Sequence, residues 1–271
     1  MALTAPRRRQ RDPEGRMPLR AHLTELRKRF VRSAIAILVG AVAGWFVYKP
    51  LFEAAARPII DIQKQQNIQA AINFNTPVGA FNLQVQTAIV IGVVLASPVW
   101  LYQLWAFITP GLTRKERRSS FAFVGAAVPL FLAGAGLAWF MFPKAIAFLY
   151  DFIPAGGAAF TDASTYFSFV TRIVLAFGIA FVIPVVLVSL NLVGLLPGRI
   201  LLSHWRIIVF ACFLFAAVAT PTPEATSMIV LASAMCLLFA VAVAICLLAD
   251  KRKARRAPDL ESIPDDQASS L

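Results

Sequence analysis

The sequence predicts an all-α integral membrane protein, six transmembrane helices in a kinked and curved bundle with both termini in the cytoplasm. Three observations carry that expectation. Hydrophobic residues make up 59% of the 271 positions and charged residues 15%, which is more apolar surface than one soluble core can hide. The apolar residues gather into windows near the roughly 20 residues a helix needs to cross about 30 Å of hydrocarbon. The cations behind the net charge of +12 cluster between those windows, not along an amphipathic face with stacking aromatics. That pattern argues against a nucleic-acid partner and for loops sorted by charge.

Residues 1–16 are polar, basic and Pro-containing, and are expected to form a disordered arm. Leu19, Leu23, Leu26 and Phe30 fall at helical spacing, so an interfacial turn should lead into a first span near 31–48. That window ends in Tyr48-Lys49-Pro50 without a small-residue cleavage site, as an uncleaved anchor would. Residues 49–80, with Pro50, Pro58 and Pro77, read as an external loop with short helices. Spans two to six are expected at 82–108, 120–142, 166–191, 205–220 and 226–249. The membrane domain then covers 17–250, and 251–271 forms a cytoplasmic tail, first basic, then acidic and disordered. Pro98, Pro129 and Pro184 lie inside three spans and should kink them. The fifth span reaches only about 24 Å, so local thinning of the bilayer is expected there. Cys212, Cys236 and Cys246 all sit in apolar windows at spacings that suit no metal, so neither a disulfide, a metal nor a cofactor is expected.

Loop cations set the orientation, because short loops rich in Lys and Arg stay in the cytoplasm. Ten precede or abut span one, four lie in the 109–119 loop (Arg114, Lys115, Arg117, Arg118), and five follow span six at 251–256. The 143–165 segment has Lys144 against Asp151 and Asp162, and the 221–225 turn has only Glu224. Both termini should therefore be cytoplasmic. Trp105 and Trp205 at inner ends, and Trp45 and Trp139 at outer ends, fit aromatic belts; Trp100 sits deeper and reads as packing.

Two acids stand out at the cytoplasmic edge: Glu25 in HLTELRKR (22–29) and Glu116 in RKERR (114–118). As charge pattern alone they make local pairs, Glu25 with Arg29 and Glu116 with its neighbours, each worth a few tenths of a kcal/mol. A secondary transporter of a small solute is the alternative class. It would normally place acids near the bilayer midplane, and no Asp or Glu lies there. An enzyme is not expected, since the two histidines, His22 and His204, belong to no catalytic or metal-binding constellation.

Several separated motifs, in order, resemble the twin-arginine translocase TatC family over approximately residues 18–248. HLTELRKRF (22–30) is similar to its amino-terminal signature and ASPVWLYQLWAFITPGLTRKERR (96–118) to its most characteristic block. YFSFVTRIVLAFGIAF (166–181) and TPTPEATSM (220–228) resemble its fourth span and last external turn, and ARPII (56–60) falls at its proline-bearing external segment. The resemblance implies a cell-membrane receptor that binds twin-arginine signal peptides of folded precursors at the cytoplasmic face. It also implies TatA and TatB type single-span partners, self-association in a larger complex, contact with membrane lipids and drive from the proton-motive force. Glu25 and Glu116 match the positions whose carboxylates the family uses towards the paired arginines. Phe107 and Arg27 fall at other positions tied to signal recognition; Phe107 reads equally as an interface anchor, and Arg27 as positive-inside charge. Pro58 reads as structural.

The sequence also departs from the family pattern. Where relatives commonly carry a glutamate in the fourth span, Val182 stands, and Arg172 adds a charge placed as snorkelling outward. Glu224 replaces a usual aspartate, and Met228 takes a position often held by glutamine, which weakens the expected polar docking of a partner helix; Thr220 remains as a hydrogen-bond donor there.

Overall fold

The computed structural model describes residues 19–66, 69–108, 114–154, 158–219 and 225–256. In chain order the elements are α1 (Leu19–Gln66), β1 (Gln69–Asn73), α2 (Pro77–Leu95), α3 (Ser97–Ile108) and α4 (Arg114–Tyr150). There follow β2 (Ala158–Asp162), α5 (Ala163–Val193), α6 (Gly198–Ser203), α7 (Trp205–Ala219) and α8 (Ala225–Arg256). The expected arm at 1–16, Thr220, most of the 221–225 turn and the tail from 257 onward lie outside the described residues. Helices α1, α2, α4, α5 and α8 are long and apolar enough to cross a bilayer. The sixth apolar helix, α7, has 15 residues, about 22 Å of rise.

The all-α fold holds, with two expectations about its elements corrected. The 49–80 segment is not a loop with short helices: α1 runs unbroken through Pro50 and Pro58 to Gln66. Beside the helices, β1 pairs in parallel with β2, from Gln69 opposite Ala158 to Asn73 opposite Asp162, as one short two-stranded ribbon. The second span is two helices, α2 and α3, parted at Ala96 just before Pro98, which lacks the N–H a continuous helix would need. The basic segment Lys251–Arg256 continues α8 as helix.

The chain forms two compact units, Met1–Lys49 with Gln84–Gly125 and Pro50–Leu83 with Ala126–Leu271. In the first, small residues let α1 and α2 touch backbone to backbone. A Cβ on Gly92 would lie 2.5 Å from the Ile37 carbonyl oxygen and 2.6 Å from Ala41 N; one on Gly40 would lie 2.9 Å from the Gly92 oxygen, and one on Gly44 2.6 Å from the Ala88 oxygen. Gly40 and Gly44 on α1, and Ala88 and Gly92 on α2, are each four apart, the small-xxx-small arrangement of close membrane helices. At the break, Trp100 Nε1 donates to the Val93 carbonyl at 2.9 Å, so this ring caps the end of α2 as well as packing. Trp105 departs from its expected place in an aromatic belt. It is fully buried and stacks on Phe123, with centroids 4.7 Å apart.

In the second unit, Phe177 and Phe181 of α5, Cys212 and Ala216 of α7, and Leu231 and Met235 of α8 form one core with Ala138 of α4. Two polar devices finish its helices. Tyr166 Oη donates to the Ala55 carbonyl at 2.7 Å, one residue beyond the Ala54 carbonyl that Pro58 deprives of its helical donor. At the other end, Asp250 of α8 accepts from Gly198 N at 2.7 Å and from Asn191 Nδ2 at 2.8 Å. It thereby caps α6, whose own N-cap, Pro197, has no side chain to do so. Lys253 Nζ donates to the Asn191 and Leu192 carbonyls, which end α5 before Gly194 turns the chain at φ 92°.

Gly92→Val should push α1 and α2 apart and cost about 1–3 kcal/mol, an overpacking penalty. Gly136→Ala, which meets nothing within 4 Å, should stay within about 0.5 kcal/mol of wild type. Thermal unfolding in detergent checks this, and equal midpoints for the two variants would contradict the close crossing.

Candidate functional site

His22, Glu25 and Arg29 are three and four residues apart and so share one face of α1. Gln103 and Phe107, four apart, share one face of α3. Within the first unit these two short stripes meet. His22 stacks on Phe107 with centroids 4.6 Å apart and planes 22° from parallel. Arg29 Nη1 donates to Gln103 Oε1 at 3.4 Å. Arg29 also donates through Nε, at 3.0 Å, and through Nη2 to a single oxygen, Oε1 of Glu25. The apolar stripe of the same helix, with Leu23 and Phe30, faces outward and exposed.

The pair between Glu25 and Arg29 is the one the charge pattern suggests. Both arginine contacts fall on Oε1, and among the described residues Oε2 accepts no hydrogen bond. The Glu25 side chain keeps 24% of its surface accessible and that of Arg29 19%. Among the described residues nothing occupies Oε2, so a second guanidinium can approach it without first displacing Arg29. The attraction would be tempered by Arg27 and Lys28, both exposed beside it on α1.

The sequence-derived residues are thus partly assembled. Glu25 and Phe107 belong to one cluster, joined by His22, Arg29 and Gln103. Arg27 is exposed outside that stripe. Glu116 is the third residue of α4, in a first turn where the helix dipole favours an acid, but its side chain lies outside the described residues. Met228 of α8 packs against the core of the second unit, and Thr220 lies outside the described residues. Gln103 was not singled out from sequence. Its signal was a buried amide within an otherwise apolar helix, a residue that must find a polar partner.

Among the described residues, five helices long and apolar enough to cross a bilayer and the shorter apolar α7 define a multi-pass α-helical integral membrane protein. The family model described as Sec-independent protein translocase protein (TatC) matches residues 21–233. A protein so named from Xylanimonas cellulosilytica is 45% identical over 241 residues, covering 89% of this chain and 87% of that one. The TatCy protein of Bacillus subtilis is 33% identical over 248 residues, covering 89% and 93%. A crystal structure of the twin-arginine translocase receptor TatC superposes with a TM-score of 0.66 at 29% identity, covering 84% of this chain and 99% of that one. A second, of the receptor in the detergent DDM, gives 0.68 at 30% identity, covering 83% and 98%. The chain belongs to the TatC family and is a membrane protein of Sec-independent protein translocation.

A double-mutant cycle over Glu25→Gln and Arg29→Gln should return a coupling of only about 0.3–1 kcal/mol in unfolding free energy, as for other partly exposed pairs. A coupling above about 2 kcal/mol would make the pair a structural clamp with no oxygen to spare for a ligand.

Proposed function

We propose that this chain is the signal-peptide receptor of the twin-arginine export system, binding the paired arginines of folded precursors at the cytoplasmic face of the cell membrane. The observation that carries the reading is Glu25: a partly accessible carboxylate with one oxygen held by Arg29 and the other, among the described residues, accepting no hydrogen bond, beside an aromatic platform of His22 and Phe107. A guanidinium can take the free oxygen in a charge-assisted bond and lay its plane near the rings, which a lysine ammonium does less well. Glu116 is the second carboxylate of the proposed site, Phe107 its apolar wall, and Arg27 a cation that sets the charge at its rim. Loop charge places this edge, and both termini, in the cytoplasm. Residues 1–16 supply a basic arm and the residues past α8 a polar tail. TatA and TatB type single-span proteins are the proposed partners, with Met228 and Thr220 as docking positions, and several copies work together. The chain itself makes and breaks no covalent bonds, and the proton-motive force drives transport.

Charge reversal tests the site. Glu25→Lys or Glu116→Lys should weaken capture of a twin-arginine signal peptide by about ten-fold or more while membrane insertion stays intact, because each adds repulsion where attraction is needed. Glu116→Gln should be milder. Exchanging the peptide's arginines for lysines should harm binding to wild type much more than binding to the Glu25→Gln, Glu116→Gln double variant. Peptide capture that survives reversal at both positions would leave the acids as local pairs only.

Orientation has its own test in a background without native thiols. A cysteine replacing Gly156 should react with an impermeant maleimide added outside intact cells, and one replacing Gln267 should react only after lysis. The opposite pattern would invert the topology.

A further inference from the structure

Arg172 is the one charged residue of α5, the tenth of its 31 residues, so its Cα lies about 14 Å along the axis from Ala163. A guanidinium at that depth in an apolar helix is costly unless an anion or water reaches it. It is exposed, and among the described residues no carboxylate pairs with it. Asp162, the acid at the head of the same helix, is already committed. Its Oδ2 accepts from Thr165 N at 2.9 Å and Thr165 Oγ1 at 3.0 Å, and its Oδ1 accepts from Asn75 Nδ2 at 2.8 Å.

Ser164, Ser168 and Arg172 recur every four residues, and with Thr165 and Phe169 they line an open cavity of about 470 Å³. We propose that this face of α5 binds the headgroup phosphate of an anionic phospholipid in the leaflet on the β1–β2 side, with Arg172 as the charged anchor. Helical side chains lean towards the helix N-terminus, so Arg172 is directed along the serine ladder towards the membrane edge. There its planar fork of donors matches phosphate oxygens. The guanidinium offers several donors at once, which suits a phosphate with several acceptor oxygens better than the two oxygens of a partner helix's carboxylate; the Thr165 hydroxyl is already given to Asp162. The depth of Arg172 and the ring of Phe169 suit an anion that brings acyl chains, not free phosphate.

The test is native mass spectrometry of the full chain in neutral detergent, titrated with phosphatidylglycerol and, separately, phosphatidylcholine. Wild type should hold a tightest phosphatidylglycerol adduct that Arg172→Gln weakens about ten-fold, Arg172→Lys less, and Ser168→Ala a few-fold, while phosphatidylcholine binds weakly throughout. Equal phosphatidylglycerol binding by wild type and Arg172→Gln overturns the proposal. So does displacement of the adduct by millimolar inorganic phosphate, or unchanged lipid binding with loss of a co-purifying single-span protein in Arg172→Gln. Should Arg172→Gln fail to fold, a phosphatidylglycerol with a photoreactive headgroup should crosslink wild type within 164–172; crosslinks elsewhere alone overturn the proposal.

Discussion

Hydrocarbon offers no hydrogen bonds, so every backbone polar group of a spanning segment must be satisfied by the protein itself. The positions where this chain cannot satisfy them by helix alone are where its polar side chains appear. Pro58 leaves a carbonyl without a donor in α1, and Tyr166 bonds the next carbonyl along. The chain breaks before Pro98, and the Trp100 indole takes up the Val93 carbonyl. α6 starts at a proline N-cap, and Asp250 receives its first N–H. Asn75, Asp162 and the β1–β2 ribbon do the same where α1 and α4 have ended.

With backbones satisfied internally, helices are free to approach as closely as their side chains permit. In the first unit, glycines bring α1 and α2 into backbone contact, and in lipid that packing replaces the hydrophobic drive that association in water would have. Charge is then left to helix ends, where water and headgroups solvate it. Glu25, Arg29 and Gln103 form a cluster at such an end, rigid on its helix faces yet partly open. A receptor for a positively charged peptide requires both properties. Arg172 inside the apolar α5 departs from that pattern, as do Lys49, Glu53 and Arg57 inside α1.

The spans were legible because about twenty apolar residues in a row have few other uses, and orientation-bearing cations stood out against them. The acids at 25 and 116 stood out for a related reason, because a carboxylate has no topogenic use in a cation-rich segment, and of the two the described residues place only the Glu25 side chain. What the sequence did not disclose depends on contacts across long separations. The passage of α1 through Pro50 and Pro58 is supported in part by Tyr166, more than a hundred residues away. β1 and β2, QAAIN and AAFTD, are too short and too rich in small residues to show a strand period, and only their pairing makes them strands. Asp250, the last residue of the expected membrane domain, carried no assigned role because its partners, Asn191 and Gly198, were invisible in the local pattern. Trp105 looked like a belt residue until Phe123 buried it.

The central claim is that the cytoplasmic end of the first unit is where an export signal is read. A photoreactive amino acid in place of Leu26, next to Glu25, or of Leu104, next to Gln103, both exposed, in native membranes addresses it most directly. The account predicts a crosslink to a twin-arginine signal peptide that is lost when the paired arginines are replaced by lysines. A protein that still supports export but gives no crosslink from either position, or one indifferent to the arginine pair, would contradict it.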